Sequence, residues 1–183
     1  MDKSNWTSDF YSKVPKDPEG NKKYRGDRLR EALSSPRKRA VEIQRCRRDL
    51  LYWINVYGWL YEPRTAKELP FITYPFQDAA LLKAQAHLGE REICIAKSRD
   101  MGATWMLLYL LAHQWQFEPM MALGLVSSDA DLVDKTNEPD ALFWKIDFLL
   151  SHQPSFLRPR MDRQKFSLVN EDNGSTFTGV ATT

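Results

Sequence analysis

A polar loop near the middle of the chain carries residue types that bind phosphate groups. It runs Lys97-Ser98-Arg99-Asp100-Met101-Gly102-Ala103-Thr104. Phosphate loops of the pattern G-x-x-x-x-G-K-[ST] bind anions with backbone N–H groups and a lysine, while the hydroxyl ligates Mg²⁺. Gly102 and Thr104 fit this pattern, but Ala103 occupies the lysine position and Lys97 occupies the first glycine position. Because a lysine side chain is long and flexible, Lys97 could still reach the anion from the start of the loop.

The segments on either side of this loop suit a phosphate site. The short apolar run Ile93–Ala96 predicts a buried strand before the loop, and the apolar stretch from Trp105 to Trp115 predicts a helix over residues 103–117. Strand, loop and helix in this order are typical of a nucleotide-binding P-loop. The alternative is an ordinary strand-to-helix turn, with Gly102 near the helix start and the charged residues facing solvent.

An aromatic–glutamine pair lies upstream of the loop. Phe76 and Gln77 begin a stretch that predicts a helix from about residue 76 to 88, ended by Gly89. In many helicase-like ATPases such a pair at this distance from the phosphate loop recognises adenine, through the amide and the ring face. The other interpretation makes Phe76 a core aromatic residue and Gln77 a polar residue at a helix N-terminus.

Composition indicates a globular protein without a membrane segment. The 183 residues are 43% hydrophobic and 27% charged, which is typical of a soluble domain. No run approaches eighteen apolar residues, and the N-terminus lacks the features of a signal peptide. We therefore expect a cytoplasmic protein whose two cysteines, Cys46 and Cys94, are reduced.

Positive charge is concentrated in the first part of the chain. Residues 1–49 hold 14 Lys and Arg against 8 Asp and Glu, whereas residues 50–183 hold 12 against 16. Residues 36–59 predict a helix that is basic in its first half and apolar in its second. Its candidate nucleic-acid contacts are Arg45, Arg47 and Arg48, which could follow a phosphate backbone by charge alone. The alternative is a solvated helix face whose arginines pair with acidic residues of the same chain.

The rest of the chain favours an α/β fold. Residues 120–126 predict a second strand, parallel to Ile93–Ala96 in a right-handed βαβ unit. Residues 140–152 predict an amphipathic helix. Residues 165–170 and 175–180 predict a hairpin around the Asn-Gly dipeptide at 173–174. We divide the chain into an N-terminal arm with basic and aromatic helices, residues 1–60, the first helix starting near Asp27, and a core, residues 61–183.

With these segments placed, the sequence resembles the ATPase half of bacteriophage terminase large subunits, which pump viral DNA into procapsids. The resemblance covers nearly the whole chain and depends most on the loop with its displaced lysine. It also includes the following segments: Leu51–Tyr57, Tyr74–Gln77, Asp131–Asp134, Leu142–Asp147 and Asn173–Ser175. It implies a RecA-like P-loop NTPase core with a helical N-terminal region.

The resemblance also implies roles for individual residues. Lys97 would contact the phosphates of ATP, Thr104 would hold Mg²⁺, and Gly102 would allow close approach of the backbone. Gln77 would recognise adenine, with Phe76 beside it, and Arg99 would assist at the phosphates. The remaining loop positions of the cofactor site are Ser98, Asp100, Met101 and Ala103.

The sequence departs from the family pattern in two respects. Such ATPases need an apolar strand ending in Asp-Glu, where the Asp supports Mg²⁺ and the Glu orients the attacking water. No such run is found, so the catalytic pair is unassigned and the predicted sheet is incomplete. We therefore expect the chain to be a front part of the family's ATPase domain. The arginine that acts on a neighbouring subunit's nucleotide is also unassigned. Its candidates are Arg158, Arg160 and Arg163, which we expect to be unpaired.

The family's partners follow from the same resemblance. They are double-stranded DNA, the portal protein and the small terminase subunit, with a homo-oligomeric ring as the active form in the host cytoplasm. Two other functions remain open from the residues alone. One is a different helicase-like ATPase acting on nucleic acid, and the other is a non-catalytic module in which the basic helix binds DNA or an acidic partner.

Overall fold

The computed structural model describes residues 10–98 and 101–182. The chain divides into two compact units that are not continuous in sequence. Unit 1 comprises residues 1–58 and 70–110, and unit 2 comprises residues 59–69 and 111–183. The first passage of the chain between the units, after Gly58, lies close to the sequence-based division at residue 60. That division into functional regions stays a prediction.

Unit 1 is helical in its described residues. After a 3-10 turn at Tyr11–Lys13, its elements are α1 (Pro18–Leu33), α2 (Pro36–Arg48), α3 (Leu50–Tyr57), α4 (Pro75–His87) and the first half of α5 (Ala103–Phe117). The first helix begins at Pro18, well before the predicted Asp27. Asp17 explains the early start, since its carboxylate accepts a hydrogen bond from Gly20 N–H (2.7 Å) and Pro18 takes the first helical position.

The single helix predicted over residues 36–59 is wrong. It divides at Asp49, which has an extended backbone and ends α2. The Asp49 carboxylate then caps α3 by accepting a hydrogen bond from Tyr52 N–H (2.9 Å). All eight residues of α3 are buried, so the apolar half of the predicted helix is packed on more than one side.

Unit 2 contains two sheets and helices. β1 (Trp59–Glu62) pairs with β2 (Lys67–Pro70) in a separate two-stranded sheet. The other elements are the second half of α5, β3 (Ala122–Ser127), α6 (Ala130–Val133), α7 (Leu142–Ser151), β4 (Met161–Gln164), β5 (Ser167–Asn170) and β6 (Thr176–Ala181).

The larger sheet is mixed, in the order β3-β6-β5-β4. β3 is parallel to β6, with Leu123 opposite Phe177, and β5 is antiparallel to both β4 and β6. The predicted hairpin with Asn173-Gly174 is confirmed as β5–β6. Its tight return depends on Gly174, whose φ of +77° is disfavoured for other residue types.

The predicted βαβ unit is not formed in the described part of the chain. Residues 92–98 have no strand assignment, and Ile93 and Ile95 are 42% and 41% exposed. The parallel neighbour of β3 is β6, which follows it in the sequence. An apolar run predicts a strand only if a partner strand pairs with it, and the run itself does not reveal that partner. The coarse prediction of a mixed α/β fold is confirmed, whereas the P-loop architecture stays a prediction.

Within the described residues, no helix is long and apolar enough to cross a membrane. Both cysteines are free thiols. Cys46 is fully buried in α2, where burial raises its pKa well above the ordinary value, and Cys94 is exposed.

Candidate nucleotide site

Helix α5 starts directly after a glycine turn. Helix α5 begins at Ala103, as predicted, and Gly102 before it has a φ of +73°. Thr104 lies exposed in the first helical turn. Helix N-termini present unpaired backbone N–H groups and the positive end of the helix dipole, which favour anions. Gly102 therefore supplies a turn that most residues could not adopt without strain.

Gln77 connects helix α4 to this loop. Its side-chain oxygen accepts a hydrogen bond from Tyr74 N–H (3.0 Å), and its Nε2 donates to the Met101 carbonyl (3.1 Å). A Cβ at position 102 would lie 3.1 Å from the same Nε2. Gln77 is 5% exposed. The structure thus brings together Gln77 and the Met101–Gly102 turn, two features that the sequence placed 24 residues apart.

These contacts also restrict what Gln77 can do. An amide has two N–H donors and two acceptor lone pairs, and one of each is already used within the protein. One donor and one lone pair remain, the number that a single edge contact with an adenine base requires. The alternative interpretation of Gln77 as a polar residue at a helix start also describes its bond to Tyr74.

Two exposed aromatic rings lie beside Gln77 in sequence. Tyr74 and Phe76 stack on each other, with ring centroids 5.8 Å apart and planes inclined by 6°. They are 65% and 50% exposed, so the interpretation of Phe76 as a core residue is wrong. The sequence interpretation missed Tyr74, although the Tyr-Pro-Phe spacing places two rings on either side of one proline.

The other loop residues differ in how far the structure describes them. Lys97 and Ser98 are exposed and follow the unpaired segment of residues 92–96, while Met101 and Ala103 are partly exposed. Arg99 and Asp100 lie outside the described residues. No cluster of three or more His, Cys, Asp or Glu side chains suited to a metal ion occurs in the described ranges. A Mg²⁺ held by Thr104 and phosphate oxygens would not require such a cluster.

The segment before α4 is held by buried polar contacts. Thr73 N–H donates to the Asn55 side chain (3.0 Å), and the Thr73 hydroxyl donates to the Asp78 carboxylate. Lys16 Nζ donates to the Thr73 carbonyl (2.8 Å) and to Asn55 Oδ1 (3.1 Å). These contacts fix Thr73 and Asp78 on either side of the two rings and Gln77.

The basic helix α2 divides into inward and outward arginines. Arg45 binds the fully buried carboxylate of Glu42 (3.0 Å) and lies over the Phe10 ring. Arg47 and Arg48 are exposed at the end of the helix. Glu42 also accepts hydrogen bonds from Arg28 (3.1 Å), Tyr52 (2.5 Å) and Tyr57 (3.0 Å). Arg45 therefore pairs with an acidic residue of the same chain, as the alternative interpretation expects, but the carboxylate is buried and not solvated.

The expectation of three unpaired arginines near the end of α7 is wrong for two of them. Arg160 binds Asp172 (2.8 Å), and Arg163 binds both Asp134 (2.7 Å) and Asp147 (3.0 Å). Arg158 is exposed and has no ion pair with a described residue. All of these pairs lie within unit 2. Of the two partners of Arg163, Asp134 directly follows α6 and Asp147 lies in α7.

The Asn173-Gly-Ser175 segment has a structural role. Asn173 Nδ2 donates to the carbonyls of Trp115 (3.0 Å) and Glu118 (3.0 Å), and Ser175 Oγ donates to the Glu118 carbonyl (2.7 Å). Helix C-termini leave carbonyl groups without intrahelical partners. The β5–β6 turn therefore satisfies the end of α5.

No protein-family model and no curated protein matches the chain.

Proposed function

We propose that the chain is a P-loop nucleotide-binding unit of the terminase large-subunit type, which binds ATP at the N-terminus of α5. The observation that carries this proposal is the bond between Gln77 and Met101, which holds a polar amide side chain against a glycine turn at a helix start. A glycine with positive φ before a helix is also found in proteins that bind no nucleotide. The combination of this glycine with Gln77 and two exposed stacked rings is what favours ATP binding at this position.

In this proposal each part of ATP has a partner. The triphosphate lies over the backbone N–H groups that start α5, with Lys97 and Ser98 beside it and Thr104 as a ligand of Mg²⁺. Bound Mg²⁺ would neutralise phosphate charge. The adenine stacks on Phe76 or Tyr74, which are both accessible, and its edge meets the remaining donor and acceptor of Gln77. Arg99 and Asp100 complete the loop.

The wider function follows the resemblance in the sequence. ATP hydrolysis in the intact motor would alternate strong and weak binding of double-stranded DNA, in a ring docked on the portal protein and supplied by the small terminase subunit, in the host cytoplasm. The chain contributes nucleotide binding, and the catalytic Asp-Glu pair remains unassigned. Another nucleic-acid ATPase of helicase type would share the loop and Gln77 but not the displaced lysine, and unwinding of short duplexes would favour it.

Direct nucleotide binding tests the proposal. Lys97→Ala should cost about 1.5 to 3 kcal/mol of ATP binding, the range for a hydrogen bond to a charged group, which is a loss of roughly tenfold to a hundredfold in affinity. Lys22→Ala is the matched control, because Lys22 is an exposed lysine of α1. Equal ATP affinity in the two variants would exclude a role of Lys97 in binding the phosphates. Absence of ATP binding in the unmodified chain would favour the non-catalytic interaction module.

A further inference from the structure

The first described residues of the chain form a strap over the start of α4. We define the N-terminal strap as residues 10–17, which includes the 3-10 turn and ends at the cap of α1. Two of its side chains, Tyr11 and Lys16, contact residues 73–78. Both the strap and residues 73–78 belong to unit 1.

Lys16 makes several contacts with a small group of acceptors. Its ammonium donates to the carbonyl and hydroxyl oxygens of Thr73 (2.8 and 3.0 Å) and to Asn55 Oδ1 (3.1 Å), and lies 3.4 Å from Asp78. An ammonium has three protons, so these acceptors share them. Burial lowers the pKa of Lys16, while the Asp78 carboxylate opposes this change.

Tyr11 reaches the same carboxylate from the other end of the strap. Its hydroxyl donates to Asp78 Oδ2, and its ring lies under the Lys16 ammonium at 4.7 Å. Burial and the bond to Asp78 raise the pKa of Tyr11 well above its ordinary value. The hydroxyl therefore stays protonated and remains a donor at neutral pH.

The two anchoring points lie on either side of the candidate base-binding residues. Thr73 and Asp78 are joined by the Thr73 hydroxyl, and between them lie Tyr74, Phe76 and Gln77. Asn55, in the core helix α3, donates to the Thr73 hydroxyl (2.9 Å) and is fully buried. The strap supplies the ammonium that joins these groups, while the Tyr74 and Phe76 rings remain exposed to a ligand.

We propose that Lys16, assisted by Tyr11, is a positioning residue that sets the geometry of the Tyr74 and Phe76 rings for base stacking without touching the nucleotide. This inference rests on the proposed function. Removing the ammonium takes one donor each from the Thr73 carbonyl, Asn55 Oδ1 and Asp78, so the Tyr74 and Phe76 rings between Thr73 and Asp78 are held by fewer contacts. The bond from Gln77 to Met101, which supports the start of α5, involves none of the groups that Lys16 binds in the described structure, so the start of α5 should keep its affinity for phosphates.

The experiment separates binding of the base from binding of the phosphates. Affinities for ATP and for inorganic tripolyphosphate are measured by calorimetry, with Mg²⁺, on the unmodified chain and on Lys16→Met. The variant should bind ATP about tenfold more weakly, equivalent to about 1.4 kcal/mol, while its tripolyphosphate affinity changes less than about twofold, within the scatter of additive effects. Lys13→Met is the control, because Lys13 is an exposed lysine in the same strap.

A second, milder variant tests the proposal in case Lys16→Met fails to fold. Tyr11→Phe removes only the hydroxyl donor to Asp78 and keeps the ring, so it should lower ATP affinity in the same selective way but less. Lys16→Arg, which keeps a cationic donor, should recover part of the lost affinity.

The outcomes distinguish the two proposals. If the unmodified chain binds neither ATP nor tripolyphosphate, both the nucleotide function and the strap's role are overturned. If it binds both, and Tyr11→Phe and Lys16→Met lower the two affinities equally or leave the ATP affinity unchanged, only the positioning role is overturned. A selective loss of ATP affinity in these variants, absent in Lys13→Met, supports it.

Discussion

The Nε2 of Gln77 donates a hydrogen bond to the Met101 carbonyl over 3.1 Å, while its Oε1 accepts one from Tyr74 N–H over 3.0 Å. One buried side chain thus caps the start of α4 and holds the residue before Gly102. The turn at the start of α5 and the exposed rings of Tyr74 and Phe76 at the start of α4 are therefore positioned by the same amide. A change at Gln77 should affect both.

Two substitutions at Gln77 separate its bonds. Gln77→Glu keeps an acceptor for Tyr74 N–H but loses the donor to Met101, whereas Gln77→Ala loses both. Each lost hydrogen bond should lower the free energy of unfolding by about 0.5 to 1.5 kcal/mol, and ATP affinity should fall in both variants because the loop loses its support. Urea unfolding and calorimetric ATP binding measure the two effects. Unchanged ATP affinity in both variants would show that the bond to Met101 does not support the nucleotide site.

Gly102 offers a second test of the same turn. Gly102→Ala should lower the free energy of unfolding by about 1 to 3 kcal/mol, because a φ of +73° is unfavourable for alanine. Gly89→Ala is the matched control, since Gly89 has a φ of +76° and a Cβ there would have no neighbouring atom within 4 Å. A Cβ at position 102, in contrast, would lie 3.1 Å from Gln77 Nε2.

The difference between the two glycine variants isolates the contact with Gln77. Gly102→Ala should be the more destabilising, and combining it with Gln77→Ala should reduce that excess, because the crowded side chain is removed. Thermal unfolding of the two single variants and the double variant measures this coupling. Equal losses in Gly89→Ala and Gly102→Ala would mean that the contact has no energetic consequence.

Local signals in the sequence predicted several elements well. Helix α5 begins and ends at the predicted residues, 103 and 117, because a long apolar run lies between a glycine turn and a polar segment. The β5–β6 hairpin formed around Asn173-Gly174, where a positive φ at Gly174 is required. Both features depend on residues close together in the chain.

Features that depend on distant partners were not predictable in the same way. The run Ile93–Ala96 is as apolar as many strands, yet a strand requires a neighbour, and β3 pairs with β6 instead. Asp49 could have been recognised as a helix cap before the apolar run of α3. The contact between Lys16 and Thr73 spans 57 residues, and no spacing rule predicts it.

The buried carboxylate of Glu42 should be essential to the stability of the N-terminal helices. Its partners are Arg28, Arg45, Tyr52 and Tyr57. Glu42→Gln leaves the half-buried guanidinium of Arg45 without its counter-charge and Arg28 with only the exposed Glu31, so the free energy of unfolding should fall by about 3 to 5 kcal/mol. Glu31→Gln is the control, because Glu31 binds Arg28 from a 43% exposed position, where a surface pair contributes about 0 to 1 kcal/mol. Comparable losses of unfolding free energy in Glu42→Gln and Glu31→Gln would contradict the essential role of the Glu42 carboxylate.

The ion pair of Asp134 with Arg163 predicts a pH dependence in the acid range. Burial alone would raise the pKa of Asp134, but the hydrogen bonds from Arg163 and Phe166 N–H outweigh it, and the pKa lies below its ordinary value of 3.8. A carboxyl group with a lowered pKa stabilises the fold above its unfolded pKa, and this contribution is lost as pH falls through the folded pKa. Protonation of Asp134 should thus destabilise the protein below about pH 4.

Urea unfolding between about pH 2 and pH 7 measures this contribution. Asp134→Asn should lower the free energy of unfolding at neutral pH by about 1.5 to 3 kcal/mol, and the difference from the unmodified chain should shrink as the pH falls below 3.8. Asp131→Asn is the control, since Asp131 is 65% exposed in its pair with Lys135. The pKa of Asp147 is shifted in the opposite direction, because burial raises it more than the bonds from Arg163 lower it. A pH-independent difference would contradict the role of Asp134.

The exposed end of α2 gives a test of nucleic-acid binding. If Arg47 and Arg48 contact phosphates, neutralising both should reduce the slope of log affinity against log salt by about 0.9 for each lost contact with duplex DNA. Arg45→Ala should leave this slope unchanged and instead destabilise the fold, because its charge is bound by buried Glu42. Lys67→Ala, an exposed change in β2, controls for net charge. DNA affinity is measured by fluorescence anisotropy over a series of salt concentrations. An unaltered slope in the double variant would show that Arg47 and Arg48 face solvent and do not contact phosphates.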